Sequence, residues 1–301
     1  MDTSKFKGII PAFYACYEED GTVSASRTRA LASYLLKKGV KGLYVGGSSG
    51  ECIYQSVAER EQVLEAVMEE VGGQLAIIAH VACNNTADSR ILAAHAQAHH
   101  ADAIASIPPI YFHLPDAAVA KYWNDISGAA PDTPFVIYNI PQLAGTALNV
   151  PLLREMKKNP RLLGVKNSSM PVQDIQMWRD EDVFVFNGPD EQLLSGLAAG
   201  AQAGIGGTYA AMPELYLAIY DCFEKGDLEK GRRIQNEACR IIYEMCSADC
   251  NLYAVMKEVL RRRGGPDVGD VRLPMPQLTE KGVDAAVRSA AMIEEAVKTL
   301  L

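Results

Sequence analysis

Residues 162–170 read LLGVKNSSM, in which a short apolar run leads directly into a single lysine, Lys166. We interpret the run as a buried strand, because polar residues follow the lysine at once and begin a loop. The strand would hold an ammonium group at its carboxyl end. Burial lowers the pKa of a lysine, and a deprotonated amine can attack a carbonyl to form a Schiff base. A lone strand-end lysine more often extends its head group into water, so the rest of the chain decides between the two interpretations.

The same strand type recurs along the chain, and a helical pattern separates each strand from the next. The predicted strands span residues 8–15, 40–47, 75–82, 102–108, 134–141, 162–166, 183–188 and 202–207. Continuous hydrophobicity is typical of strands buried on both faces, and regular strand–helix alternation predicts a parallel sheet. Eight such units predict an α/β fold of the (β/α)8, or TIM, barrel type. A doubly wound open sheet is the alternative, because a strand count does not prove closure.

Helix caps support the alternation. Ser24 is predicted to cap the first helix, Ser56 and Glu59 are spaced as a capping box, and Thr86 is predicted to cap the third helix. After residue 212 only helical patterns remain, over residues 213–225, 227–248, 249–263 and 280–300. We therefore expect a barrel over residues 1–225 and a C-terminal helical extension over residues 226–301.

Composition excludes several classes of protein. The chain of 301 residues is 49% hydrophobic and 22% charged, so it can form a large core. Its net charge of −8 argues against a nucleic-acid partner. No apolar stretch is long enough to cross a membrane, and residues 1–7 are too polar for a signal peptide. The 7 cysteines are an odd number without a CxxC pair, so we expect reduced thiols in a cytoplasmic protein.

Polar and glycine-rich segments follow several of the predicted strands. They read 46-GGSSGE-51, 138-YNIP-141, 187-NGPDE-191 and 206-GGTY-209. In such barrels these loops meet at one end and carry the chemistry. They would surround Lys166 with a phenol, hydroxyls, carboxylates and backbone amides. This set suits a Schiff-base enzyme, in which the lysine forms the imine, the phenol moves protons, and amides and hydroxyls bind a neighbouring carboxylate.

Together with 164-GVKNSS-169 and 204-GIGGTY-209, these motifs have a recognisable order and spacing. The chain resembles the N-acetylneuraminate lyase and dihydrodipicolinate synthase superfamily of pyruvate-dependent class I aldolases over essentially its whole length. The lyase branch is the more similar one. The synthase branch has YNxPxRTG, whose arginine binds the second carboxylate of the substrate, whereas this chain reads 138-YNIPQLAG-145. The pair Asp190 and Glu191 also resembles the lyase branch.

The resemblance implies catalytic roles for Lys166, Tyr138 and Tyr111 and a substrate-binding role for Ser48 and Ser49. Lys166 would carry the pyruvate imine, and Tyr138 would take the proton from the C4 hydroxyl as the C3–C4 bond breaks. Ser48, Ser49 and nearby amides would hold the pyruvyl carboxylate. Threonine is common in the lyase branch where Ser49 and Ser168 stand. Tyr111 would assist a proton relay through Ser49, and in the family this tyrosine reaches the site of a neighbouring protomer.

The resemblance also implies a pocket for the sugar tail. Ser168, Gly188, Asp190 and Glu191 would line it. Gly207 stands where the lyase pattern has a serine, and the loss of one hydrogen bond to the substrate would cost about 0.5–1.5 kcal/mol.

We expect reversible cleavage of N-acetylneuraminate to N-acetylmannosamine and pyruvate by a homotetramer that needs no metal or organic cofactor. The alternatives are another aldehyde partner, as in dihydrodipicolinate synthesis or a 2-keto-3-deoxy sugar acid aldolase, and a non-catalytic keto-acid-binding barrel.

Two further motifs have weaker support. Residues 46–50 fit the GxSxG pattern of serine hydrolases, but all 5 histidines lie between His80 and His113, which does not suit a serine–acid–histidine triad. His95, His99 and His100 lie on one predicted helix, where an i, i+4 histidine pair can bind zinc. Without a third ligand in the motif, a partly exposed helix face is the favoured interpretation.

Overall fold

The computed structural model describes residues 2–301, and within them one sheet of eight parallel strands forms the centre of the molecule. Around the sheet, the strands pair in the order β1-β8-β7-β6-β5-β4-β3-β2. Their bounds are β1 Gly8–Pro11, β2 Gly42–Val45, β3 Ala76–His80, β4 Ala103–Ser106, β5 Phe135–Asn139, β6 Leu162–Asn167, β7 Phe184–Asn187 and β8 Ala203–Gly206. Each lies within the predicted segment, except that β6 extends one residue beyond Lys166.

Backbone contacts between β1 and β2 close the sheet. The Lys41 N–H donates to the Ile9 carbonyl at 2.8 Å, and the Phe13 N–H donates to the Tyr44 carbonyl at 2.9 Å. Ala12 also forms a parallel bridge with Tyr44. The first strand therefore contacts both β8 and β2, and the sheet forms a barrel as predicted. The open-sheet alternative is wrong.

Helices separate successive strands and cover the outside of the barrel. They are α1 Ala25–Lys37, α2 Val57–Val71, α3 Thr86–Ala98, α4 Asp116–Ala129, α5 Pro141–Ala144, α6 Val150–Met156, α7 Gln173–Asp180, α8 Leu193–Ala198, α9 Pro213–Lys225, α10 Leu228–Met245, α11 Leu252–Arg262 and α12 Glu280–Leu300. The short α5 was not predicted.

The predicted caps are largely confirmed. Ser24 accepts a hydrogen bond from the Arg27 N–H, and Ser56 and Glu59 form the capping box. The third helix differs from the prediction, because Asn85 rather than Thr86 is its N-cap. The Asn85 side chain accepts from the Asp88 N–H at 2.8 Å, which makes Thr86 the first helical residue.

Two apolar layers explain why the strands lack an alternating pattern. One layer fills the barrel interior and includes Ile10, Ile78, Val136 and Phe186. The other lies between the strands and the helices. Successive side chains of a strand point to opposite faces, so the two layers together bury both faces of each strand. The same alternation separates Lys166 from Asn167. The Asn167 side chain hydrogen-bonds outside the interior layer, where its Oδ1 accepts from the Trp178 indole at 2.9 Å.

Helices α10, α11 and α12 pack against one another, and α10 and α12 also pack against α9. A buried ion pair connects α11 to the loop after β2, since Lys257 Nζ lies 2.8 Å from Glu51 Oε1. The Arg272 N–H donates to the other oxygen of Glu51 at 2.8 Å. The last part of the chain is thus tied to the end of the barrel at which the strands' carboxyl termini lie. Among residues 2–301, no helix has the length and apolar character needed to cross a membrane.

Candidate active site

Lys166 lies inside the barrel near the carboxyl end of β6. It is 3% exposed, and its backbone is aligned with that of Tyr138 on β5. Its Nζ atom lies 3.8 Å from the centroid of the Tyr138 ring and 4.0 Å from the centroid of the Tyr44 ring. Burial lowers the pKa of the Lys166 amine, and the nearby Tyr138 phenol partly offsets this effect. The amine is therefore easier to deprotonate than that of a lysine in water.

Tyr138 is 4% exposed and packs against two other aromatic rings across the barrel interior, which come from β2 and β3. Its ring meets that of Tyr44 edge-on at a centroid distance of 5.6 Å, and that of His80 at 5.9 Å. His80 Nδ1 lies 2.9 Å from the Gly46 carbonyl oxygen, and burial holds the pKa of this imidazole well below its usual range. His80 is thus neutral and positions Tyr138 by packing.

A cavity of about 230 Å³ opens above these groups at the carboxyl end of the strands. It is lined by all of the predicted site residues except one, namely Lys166, Tyr138, Ser48, Ser49, Ser168, Gly188, Asp190, Glu191 and Gly207. Tyr138 and Lys166 lie on β5 and β6, and the segments after β2, β6, β7 and β8 supply the others. The structure therefore brings together residues that lie up to 159 positions apart in the sequence.

Tyr111 is the predicted residue that the cavity does not include. Its side chain is 86% exposed, and its ring packs edge-on against Phe112 at a centroid distance of 5.0 Å. Its backbone has a φ of 80°, which is unusual for a residue with a side chain. Within one chain, Tyr111 is therefore separate from Lys166.

Asp190 is buried at the wall of the cavity. Its Oδ2 accepts two hydrogen bonds of 2.6 Å, one from the Thr208 N–H and one from the Thr208 hydroxyl. Burial raises the pKa of Asp190 to about 6, although these hydrogen bonds act in the opposite direction. No group among residues 2–301 hydrogen-bonds to Oδ1, so one carboxyl oxygen remains available to a ligand.

Two glycines limit the shape of the cavity differently. A Cβ atom at Gly188 would lie 2.0 Å from the Ser168 hydroxyl and 2.6 Å from the Asn167 carbonyl oxygen, so a side chain does not fit. A Cβ atom at Gly207 would meet the Ser49 hydroxyl at 3.2 Å. A small side chain fits at position 207 if Ser49 shifts by a few tenths of an ångström.

The loop that holds Ser48 and Ser49 ends in a strained residue. Glu51 adopts a left-handed conformation with a φ of 52°, and it is 2% exposed. Its carboxylate forms the ion pair with Lys257 described above. This pair fixes the end of the loop, and Ser49 itself is 4% exposed.

Helices α10 and α11 also line the cavity, which the sequence patterns did not predict. They contribute Ile242, Leu252, Tyr253 and Met256. Burial raises the pKa of the Tyr253 phenol well above its usual range, so it acts as a neutral group. The sequence patterns also did not single out Thr208, which hydrogen-bonds Asp190, or Tyr44 and His80, which pack against Tyr138. An aromatic or polar residue inside an otherwise apolar strand is the signal that would have found the last two.

A closed (β/α)8 barrel with a buried amine beside a phenol, under a cavity of hydroxyls and carboxylates, has the architecture of a Schiff-base aldolase. Residues 5–292 match the model of the dihydrodipicolinate synthetase family, and the chain belongs to that family.

Similar proteins narrow this relationship. The chain is 56% identical over 300 residues to an N-acetylneuraminate lyase of Mediterraneibacter gnavus. The aligned region covers 99% of this chain and 95% of that protein. A wild-type sialic acid aldolase structure from Ruminococcus gnavus is 56% identical and has a TM-score of 0.97, covering 99% of this chain and 100% of that one. A catalytic lysine mutant of the Ruminococcus gnavus sialic acid aldolase is 55% identical, with a TM-score of 0.98 and coverage of 100% and 99%.

Proposed function

We propose that this protein is an aldolase that reversibly cleaves N-acetylneuraminate to N-acetylmannosamine and pyruvate through a Schiff base on Lys166. The observation that supports it best is the buried Lys166 amine beside the Tyr138 phenol, at the floor of a cavity with polar walls. The identity of 56% to an N-acetylneuraminate lyase supports this choice of substrate.

The first half of the reaction uses the amine and the phenol in turn. The neutral Lys166 amine attacks the C2 carbonyl of the open-chain sugar acid, and the resulting carbinolamine loses water as Tyr138 protonates its hydroxyl. The rings of Tyr44 and Tyr138 face the nitrogen and stabilise the positive iminium. Tyr138 is then a phenolate, which can accept a proton in the next step.

In the second half, the phenolate takes the proton of the C4 hydroxyl and the C3–C4 bond breaks. Its electron pair moves to the iminium and gives an enamine, while the C4 carbon leaves as the aldehyde of N-acetylmannosamine. Tyr138 returns its proton to C3, and water hydrolyses the iminium to release pyruvate. In this scheme Ser48 and Ser49 hold the carboxylate beside the reacting carbon.

The wall of the cavity suits a hydroxylated tail. Ser168 and Glu191 offer polar groups at its rim, and Gly188 leaves room for the ligand. Asp190 has one carboxyl oxygen engaged by Thr208 and the other free for a sugar hydroxyl. Gly207 offers no hydroxyl, so the tail is held there by shape alone.

Tyr111 belongs to this proposal through oligomerisation. Its exposed ring is available to a second copy of the chain, and in a homotetramer it would complete the relay at a neighbour's Ser49. The cytoplasmic location, and the division into a barrel over residues 1–225 and an extension over residues 226–301, also remain predictions.

The direct test is to measure pyruvate release from N-acetylneuraminate. Lactate dehydrogenase reduces the released pyruvate, and the oxidation of NADH reports its rate of formation. We expect turnover with N-acetylneuraminate, and no condensation of pyruvate with aspartate semialdehyde. Turnover with another 2-keto-3-deoxy sugar acid but not with N-acetylneuraminate would contradict the proposal that N-acetylneuraminate is the substrate. Pyruvate binding without turnover of any of these compounds would contradict the proposal that the protein is an enzyme.

A further inference from the structure

A cluster of three potential metal ligands lies on the outside of the barrel, where α2 and α3 pack side by side. His95 is in the last turn of α3, and His99 follows one turn later as its C-cap. Glu65 reaches them from α2. One ligand atom from each residue can be chosen so that all three atoms lie within 4.8 Å of one another. The third ligand that the sequence motif lacks is therefore supplied by a different helix.

The distances within this cluster fit a small divalent cation. Glu65 Oε1 lies 3.0 Å from His95 Nε2 and 3.7 Å from His99 Nε2. In tetrahedral coordination with bonds of about 2.0–2.1 Å, two ligand atoms lie about 3.4 Å apart. The two observed distances lie on either side of that value. Small side-chain rotations would therefore bring the three atoms onto one ion.

The two imidazoles are arranged for a shared ligand. Their ring centroids lie 4.2 Å apart with an interplanar angle of 31°, a contact that the i, i+4 spacing on a helix allows. His95 Nδ1 is buried without a hydrogen-bond partner among residues 2–301. The polar contact of this ring therefore lies at Nε2, on the side of Glu65. The Glu65 side chain is 45% exposed, so the three-residue cluster is open to solvent and to a water molecule as fourth ligand.

The geometry points to Glu65, His95 and His99 as a binding site for a transition-metal dication, with Zn²⁺ as the preferred ion. Two imidazoles and one carboxylate are a ligand set that zinc uses in proteins, with water in the remaining position. The site is separate from the Lys166 cavity and from the proposed aldol chemistry. Its effect is to link α2 to α3, so it stabilises the folded chain when the ion is bound.

Calorimetric titration of the full-length, chelator-treated protein with ZnCl₂ tests the site. We expect one zinc ion per chain bound by these ligands, and at least a tenfold weaker Kd in His99→Ala and in Glu65→Ala, on the order of the loss when a supporting group of a metal site is removed. Both side chains are partly exposed, at 39% and 45%, so these variants should keep the fold. His100→Asn is the matched control, because His100 is exposed and adopts a φ of 61°, which asparagine tolerates.

Two further measurements separate this site from other ligands. Co²⁺ as the probe should give a spectrum without a thiolate charge-transfer band, whereas such a band would place the ion on cysteine and overturn the proposal. Zinc at about 100 times the wild-type Kd should raise the Tm of the wild type by about 5 °C and that of His99→Ala by at most about 2 °C. Equal zinc affinity in wild type and both ligand variants, or a loss in His100→Asn of the same size, would also overturn it.

Discussion

The buried pair of Lys257 and Glu51 gives a quantitative prediction about how the helical extension supports the site. Both side chains are at most 3% exposed, and their charged atoms are 2.8 Å apart. Lys257→Met removes the ammonium and leaves a carboxylate buried with the Arg272 N–H as its remaining donor. Breaking one partner of a buried pair costs about 3–5 kcal/mol. Because one donor remains and methionine fills the space, we expect a loss of about 3 kcal/mol in the free energy of unfolding.

Urea unfolding followed by circular dichroism at pH 7 measures this loss. Lys121→Met is the matched control, since Lys121 forms an i, i+4 pair with Asp125 while 74% exposed. Such surface pairs contribute about 0.3–0.5 kcal/mol. The double variant Glu51→Gln with Lys257→Met should recover part of the loss, because it removes the unpaired charge. Equal stability of Lys257→Met and Lys121→Met would refute the reasoning.

Three further predictions concern the cavity. Tyr138→Phe should keep imine formation and reduce kcat by about 10²–10⁴-fold, so a steady-state rate close to that of the wild type would contradict the proton-transfer role. For Asp190, the rise in pKa from 3.8 to about 6 means that the folded state binds a proton more tightly than the unfolded state, and wild-type stability should fall by about 2 kcal/mol relative to Asp190→Asn as the pH rises from 4 to 7. A stability difference between these two proteins that does not vary with pH in urea unfolding would exclude this shift. Gly207→Ser should lower KM for N-acetylneuraminate about 2–10-fold through one new hydrogen bond, and an unchanged KM would place the sugar tail elsewhere.

The barrel could be predicted from the sequence because its evidence is local. Each strand is an apolar run between polar loops, and the capping box of Ser56 and Glu59 can be recognised within four residues. The choice between Asn85 and Thr86 went wrong because both residue types favour the N-cap position. Closure depends on the contact between β1 and β2, which no local pattern specifies.

The candidate site was predicted where polar residues directly follow strands. Tyr253 was missed because it lies on α11, far from Lys166 in sequence, and its segment has the pattern of an ordinary amphipathic helix. Tyr44 and His80 were missed for a different reason. In a strand buried on both faces, hydrophobicity does not reveal which residues point into the barrel. The third member of the Glu65, His95 and His99 cluster lies thirty residues earlier on another helix, so only the fold reveals it.

The most direct test of the account is the mass of the intact protein after incubation with pyruvate and borohydride, followed by peptide mapping. Borohydride reduces an imine to a stable amine, so the adduct records where the Schiff base forms. We predict one reduced pyruvate per chain on Lys166, and none on Lys166→Arg, because a guanidinium stays protonated. An unmodified mass in the folded wild type, or an adduct on another lysine, would contradict the central claim that the buried amine of β6 is the nucleophile.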